Sequence, residues 1–151
     1  MQAEVKNCSQ LVILRAFTKM HAIPGLRLGY ILCRDNSLLE RMQRIRQPWS
    51  VSTVAQAAGV AAIEEGARVE KTRQYITKER KRMELELESI GISYIPSDAN
   101  YILIYYEGKE SLYEKLLEKN ILIRDCQNYI GLKKGYYRIA IKRKEENDRL
   151  L

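Results

Sequence analysis

Residues 11 to 17, LVILRAF, are apolar at nearly every position rather than at alternate ones, the pattern of a strand covered on both faces in a parallel sheet. LRLGYILC (26 to 33) reads as a second strand, and Asp35-Asn36-Ser37 supplies a cap for a helix over LLERMQRIRQ that has to stop before Pro48. Residues 50 to 65, SVSTVAQAAGVAAIEE, are apolar almost all round, which predicts a helix buried between other elements. A long charged helix follows from Ala67 to Ile90, with Val69, Ile76, Met83, Leu87 and Ile90 at helical spacing and Gly91 placed to end it. Beyond it come ISYI, a strand in ANYILIYY (99 to 106), a helix in LYEKLLEKN, strands in ILIRDC (121 to 126) and GYYRIAIK (135 to 142), and a last helix from about Lys144. The pattern is α/β, with a natural division between residues 64 and 70, so that 1–65 and 66–151 form separate domains.

Both ends raise an expectation. A strand with the pattern of 11 to 17 needs neighbours that residues 1 to 65 do not supply, which predicts preceding strands. KEENDRLL starts an amphipathic helix that stops after about two turns, shorter than the average of about 11 residues, which predicts a continuation.

Composition narrows the function. With 46% hydrophobic and 30% charged residues in 151, the chain suits a soluble globular protein, and no run approaches the roughly 20 apolar residues of a membrane span. The opening MQAEVKNCSQ lacks the basic start and apolar stretch of a signal peptide, which points to the cytoplasm. Cys8, Cys33 and Cys126 form no CxxC pair and His21 is the one histidine, so the thiols read as reduced and no metal site is expected. A net charge of +7 favours anionic partners, either polyanions or small phosphorylated ligands.

Within RAFTKMHAIPGLRLGY (15 to 30), Lys19 follows an apolar strand, Pro24-Gly25 forces a turn, and Arg27 opens the next strand. A lysine at the mouth of such a strand is expected to be partly desolvated, which favours the neutral amine that carbonyl chemistry requires. A guanidinium brought beside it by the turn can hold a phosphate by two parallel hydrogen bonds. Together they offer an amine for an aldehyde and a fork for a phosphate, the two anchors pyridoxal phosphate needs.

The string T-K-x-x-A-x-P-G-L-R-L-G-Y at Thr18 to Tyr30 resembles the cofactor-lysine segment of the fold-type I, class I/II pyridoxal-phosphate aminotransferases. Within them it is most similar to the histidinol-phosphate aminotransferases and threonine-phosphate decarboxylases. The likeness continues through QPWSVSTVAQAA (47 to 58), PSDANYILI (96 to 104), ILIRDCQNYIGL (121 to 132) and YYRIAIKRKEEN (136 to 147). IRDCxNxxGL followed by YRIA looks more like the decarboxylase branch.

This resemblance implies the C-terminal part of the large parallel-sheet, cofactor-binding domain over 1–65, and a small α/β domain, shortened at its last helix, over 66–151. Position by position, Lys19 matches the catalytic lysine bonded to the cofactor aldehyde, Arg27 the arginine on the cofactor phosphate, and Thr18 a hydroxyl that contacts that phosphate. Arg138 matches the arginine that grips the substrate carboxylate, and Arg124 a second substrate-site arginine for a phosphate or carboxylate. Asn100 falls in a recurrent motif but reads first as structural.

There are departures. Ala16 stands where the family often has a phosphate-binding serine, and His21, where relatives often carry tyrosine, reads as local packing. In the family a phosphate-binding turn, a ring-stacking aromatic, an asparagine and tyrosine near the ring oxygen, and an aspartate paired to the pyridine nitrogen precede the lysine, whereas residues 1 to 18 hold no aspartate. The expectation is a homodimeric enzyme when complete, acting on an amino-acid or amino-phosphate substrate, of which these residues alone are inactive. Two other readings stay open. One is a basic nucleic-acid binder using RMQRIRQ and KERKRME, against which stand the interspersed acids and the lack of a nucleic-acid motif. The other is a non-catalytic module that dimerises or binds a partner through apolar surface.

Overall fold

The computed structural model describes residues 4 to 151. The chain resolves into two compact units, the first ending at Glu70 and the second running from Lys71 to Leu151. No helix among the described residues is long and apolar enough to cross a membrane.

The first unit is built on a hairpin of β1 (Val12–Ala16) and β2 (Gly29–Cys33), antiparallel from Val12 opposite Cys33 to Ala16 opposite Gly29. The parallel, doubly covered strand expected at 11 to 17 is not formed among the described residues. β2 is the one partner they supply, and Leu14, Arg15 and Ala16 are exposed, Leu14 by 74%.

Helix α1 (Asn36–Ile45) starts where Asp35 caps it, its Oδ1 accepting from Leu38 N–H at 3.0 Å and from the Ser37 hydroxyl at 2.8 Å. These bonds, Ser37 first, hold the Asp35 carboxyl below its ordinary range. Helix α2 (Thr53–Glu64) is capped by Ser52, whose Oγ accepts from Ala55 N–H at 3.2 Å. Its expected burial on all sides gives way to a single covered stripe. Ala55 and Gly59 are buried, while Val54, Val60 and Ile63 are exposed. The covered stripe is close-set, since a β-carbon built on Gly59 would meet Leu28 Cδ2 at 2.5 Å. α2 therefore lies directly against the base of the β1–β2 connection, and small residues are what permit the approach.

Helix α3 (Gly66–Ser89) ends in a Schellman motif. Gly91 takes φ +75°, Ile92 N–H donates to Leu87 carbonyl at 2.9 Å, and Gly91 N–H to Glu88 carbonyl at 3.0 Å. The second unit then forms an antiparallel sheet of β3 (Ser93–Ile95), β4 (Tyr101–Tyr105), β5 (Arg124–Asp125) and β6 (Tyr136–Ala140) in the order β3-β4-β6-β5. Ile102, Ile104, Tyr137 and Ile139 point to one face, where they form a core with Met83 and Leu87 of α3. Leu112 and Leu116 of α4 (Leu112–Glu118) and Leu150 of α5 (Lys144–Leu150) close over it. By the two-residue alternation of strands, Tyr101, Leu103, Tyr105, Tyr136 and Arg138 share the opposite face.

Gly135 leads into β6 with φ +100°, and a β-carbon there would meet the Tyr105 ring at 2.8 Å and the Tyr106 carbonyl at 3.0 Å. Its own carbonyl accepts from Tyr106 N–H at 2.9 Å. Gly135→Ala is expected to lower the unfolding free energy by about 2–4 kcal/mol, combining left-handed strain with overpacking. The denaturant midpoint reads this directly, and an unchanged midpoint would contradict it.

Two polar residues join the apolar face of α3. Glu79 and Arg80 are buried, and the helix is thereby tied to its surroundings by polar contacts. Arg80 Nη1 donates to Ala99 carbonyl at 2.9 Å. Glu79 receives Arg82 in a forked pair, Nη2 to Oε1 at 2.6 Å, and Asn147 Nδ2 at 3.0 Å. Asn147, 1% exposed, also exchanges hydrogen bonds with the Lys142 backbone at 3.0 and 3.1 Å, while Asp148 pairs with Arg82 at 2.7 Å. This network docks the seven-residue α5.

Candidate active site

Each unit presents one cluster of the chemistry-bearing residues. In the first, the hairpin ladder extends one step past Ala16–Gly29, with Phe17 N–H donating to Leu28 carbonyl at 3.1 Å. Thr18 and Arg27 therefore leave the ladder opposite one another, and Lys19 is one residue further into the same connection. Inside it, Ala22 N–H donates to Lys19 carbonyl at 3.1 Å, and Pro24–Leu26 form a 3-10 turn. The turn is what Pro24-Gly25 predicted. It returns the chain so that Lys19 and Arg27 sit at one end of the hairpin.

Two non-glycine residues of this connection, Ala22 (φ 56°) and Arg27 (φ 52°), take left-handed backbone angles. Such angles cost about 1–2 kcal/mol each and gather at functional loops. Arg27 Nη1 donates to Pro24 carbonyl at 3.3 Å, and among the described residues the guanidinium has no carboxylate within 4 Å. Thr18 is half-buried. Lys19 is exposed, so the partial desolvation expected at the mouth of the strand is not formed among the described residues. The His21 ring packs on buried Phe17 with centroids 4.8 Å apart, and its Nδ1 is enclosed without a hydrogen-bond partner.

The second cluster lies on the sheet of the second unit. Arg124 of β5 and Arg138 of β6 are direct cross-strand partners, on the face away from the core. Both are exposed and both line an open cavity of about 530 Å³, together with Tyr113, Leu122 and Asp125. Like charges placed directly opposite destabilise a sheet, and among the described residues neither guanidinium has a carboxylate within 4 Å to offset the repulsion. Each instead stands over an aromatic ring, Arg138 5.0 Å from the Tyr101 centroid and Arg124 5.5 Å from that of Tyr129. Arg124 Nη2 also donates to Asn128 Oδ1 at 3.1 Å. Between the two strands Cys126 is buried, and that burial pushes its thiol up against the lowering effect of Arg138 and Arg124.

Asn100 contributes its backbone, the carbonyl accepting from Ile141 N–H at 2.9 Å. No group of three His, Cys, Asp or Glu side chains among the described residues is arranged for a metal. Tyr101, Asn128 and Tyr129 were not singled out by sequence reasoning. The alternation of ANYILIYY against YYRIA would have put Tyr101 on the face of Arg138, whereas Asn128 and Tyr129 reach Arg124 through turns that carry no periodic signal.

The sequence model described as aminotransferase class I and II matches residues 1–151. The chain belongs to this family. Among its aminotransferase-family relatives, threonine-phosphate decarboxylase of Salmonella typhimurium is 39% identical over 149 residues, covering 97% of this chain and 41% of the relative. Histidinol-phosphate aminotransferase 2 of Archaeoglobus fulgidus is 34% identical over 148 residues, covering 97% and 42%. The chain thus spans about two fifths of the length of these curated relatives.

Solved structures agree on the fold. Histidinol-phosphate aminotransferase from Clostridium acetobutylicum superposes with a TM-score of 0.88 at 35% identity, over 97% of this chain and 45% of that one. L-threonine-O-3-phosphate decarboxylase from Porphyromonas gingivalis gives 0.83 at 28% identity, over 98% and 46%. The α/β architecture described above is accordingly that of the fold-type I aminotransferase family, over the portion these residues cover.

Proposed function

We propose that this chain contributes to a pyridoxal-phosphate enzyme acting on a small amine that carries both a carboxylate and a phosphate. The observation that carries the substrate class is the cross-strand pairing of Arg124 with Arg138, which have no acidic partner among the described residues. Two adjacent, uncompensated guanidiniums suit a ligand with two anionic groups better than a neutral or singly charged one. Among the relatives' names, threonine phosphate refers to an amine with both groups, whereas histidinol phosphate is an amine with a phosphate and no carboxylate.

The donor set of the hairpin turn fits the cofactor. An exposed amine at Lys19, a guanidinium without acidic partner at Arg27 and the Thr18 hydroxyl answer an aldehyde and a phosphate. When bound, pyridoxal phosphate supplies the electron sink that stabilises the carbanion left by cleavage at the substrate α-carbon. Lys19 Nζ would hold the cofactor through its aldehyde and would move a proton at the substrate Cα. Arg27 and Thr18 hold the phosphate, fixing the cofactor relative to Lys19. Arg138 holds the substrate carboxylate, and Arg124 the second anion.

The angle at which Arg138 holds the carboxylate selects the bond that breaks. By orienting the carboxylate, Arg138 would decide whether the substrate loses its Cα proton, as in transamination, or the carboxylate itself, as in decarboxylation. The block IRDCQNYIGL followed by YYRIA favours decarboxylation. In the complete enzyme with O-phospho-L-threonine as substrate, Arg138→Ala is expected to raise KM about 10- to 100-fold, the worth of a charge-assisted hydrogen-bonded pair. Carbon dioxide should be released without stoichiometric conversion of 2-oxoglutarate to glutamate. Keto-acid-dependent turnover without carbon dioxide would assign transamination instead, and an unchanged KM would remove Arg138 from the site. In the complete enzyme a homodimer in the cytoplasm is the expected assembly.

A further inference from the structure

The arginine pair raises a physical question. An exposed arginine is flexible, and two facing guanidiniums repel, so something must hold them in place before an anion arrives. At Arg124 the structure offers two contacts. Asp125 Oδ1 accepts from Gln127 N–H at 2.9 Å and Tyr129 N–H donates to Cys126 carbonyl at 3.0 Å, tight turns that fold the chain back beside β5. They bring Asn128 Oδ1 to 3.1 Å from Arg124 Nη2 and the Tyr129 ring to 5.5 Å from its Cζ.

We infer that Asn128 and Tyr129 are positioning residues that hold the Arg124 guanidinium ready for an anion shared with Arg138. This inference rests on the anion-binding reading of the pair given above. The choice of groups supports it. A guanidinium has five N–H donors; Asn128 takes one and the ring covers a face, which fixes the plane while leaving the other donors for a ligand. Both holding groups are neutral, so they orient Arg124 without cancelling its charge. A carboxylate at 128 would orient it as well but would compete with the incoming anion. Tyr101 plays the corresponding part beneath Arg138 at 5.0 Å.

The test titrates the protein with inorganic phosphate by calorimetry, taking as the relevant binding the component that Arg138→Ala and Arg124→Ala each remove. Tyr129→Leu is expected to weaken it about three- to tenfold, the worth of an exposed cation–π contact with its ordering effect, whereas Tyr129→Phe, which keeps the ring, stays within about twofold. Asn128→Asp is the sharper probe. It preserves the hydrogen bond and the unfolding midpoint, yet weakens phosphate by about tenfold or more and by more than Asn128→Ala. A purely structural role would lower the midpoint in Tyr129→Leu and Asn128→Ala and leave phosphate affinity unmoved in all three, and that result would overturn the inference. Phosphate binding that survives both arginine replacements would instead overturn the reading of the pair itself.

Discussion

In the complete enzyme, Lys19→Arg is expected to lower turnover of O-phospho-L-threonine by about a thousandfold or more, the scale seen when the covalent group of a catalytic unit is removed. Arginine keeps the positive charge and fits the same exposed turn, but its guanidinium neither forms the bond to the cofactor aldehyde nor moves a proton near neutral pH. The far-ultraviolet dichroism should not change, because Lys19 contributes only its backbone carbonyl to the turn, accepting from Ala22 N–H. A loss of less than about tenfold would remove Lys19 from the chemistry.

The largest stability effect is expected at Asn147. Asn147→Leu conserves volume but strips three hydrogen bonds, the one to Glu79 Oε1 buried and the two to the Lys142 N–H and carbonyl part-buried. Losing this partner costs the buried Glu79 carboxylate about 2–3 kcal/mol and each part-buried Lys142 group about 0.5–1 kcal/mol, so a total loss of about 3–5 kcal/mol is expected in denaturant unfolding. A loss under about 1 kcal/mol would mean that Leu150 and Leu151 alone dock α5.

The same network predicts a pH dependence. Arg82 foremost, helped by Asn147 and opposed by burial, holds the Glu79 carboxyl below its ordinary 4.5, and Lys144 and Arg82 hold Asp148 below 3.8. Carboxyls depressed in the folded state add stability that is fully present above their ordinary values and is lost as pH falls through the depressed ones. Unfolding free energy should therefore be level above about pH 5 and decline below it, less steeply in Glu79→Gln. An equal slope in that variant would place the acid sensitivity elsewhere.

Local chemistry was legible in the sequence where it acts over a few residues. Asp35 starts a helix, Gly91 ends one, and Pro24-Gly25 makes the turn that puts Lys19 and Arg27 at one hairpin end. Residues whose role depends on what covers them were not. LVILRAF and the Ala-rich α2 have buried-element composition, but among the described residues β2 is the one strand that pairs with β1, and Leu14 and Ile63 are exposed. Glu79 and Arg80 look like solvated charges on a helix and are buried because partners 68 and 19 residues away come to meet them. The Arg124–Arg138 pairing likewise depends on register between strands, which no window of either strand contains.

The most direct test is to incubate the protein with pyridoxal phosphate, reduce with borohydride and map the modified peptides. The account predicts a pyridoxyl group on Lys19 well above every other lysine, and its loss in Lys19→Arg. Labelling spread evenly over the surface lysines, or concentrated on another one with Lys19 unmodified, would contradict it.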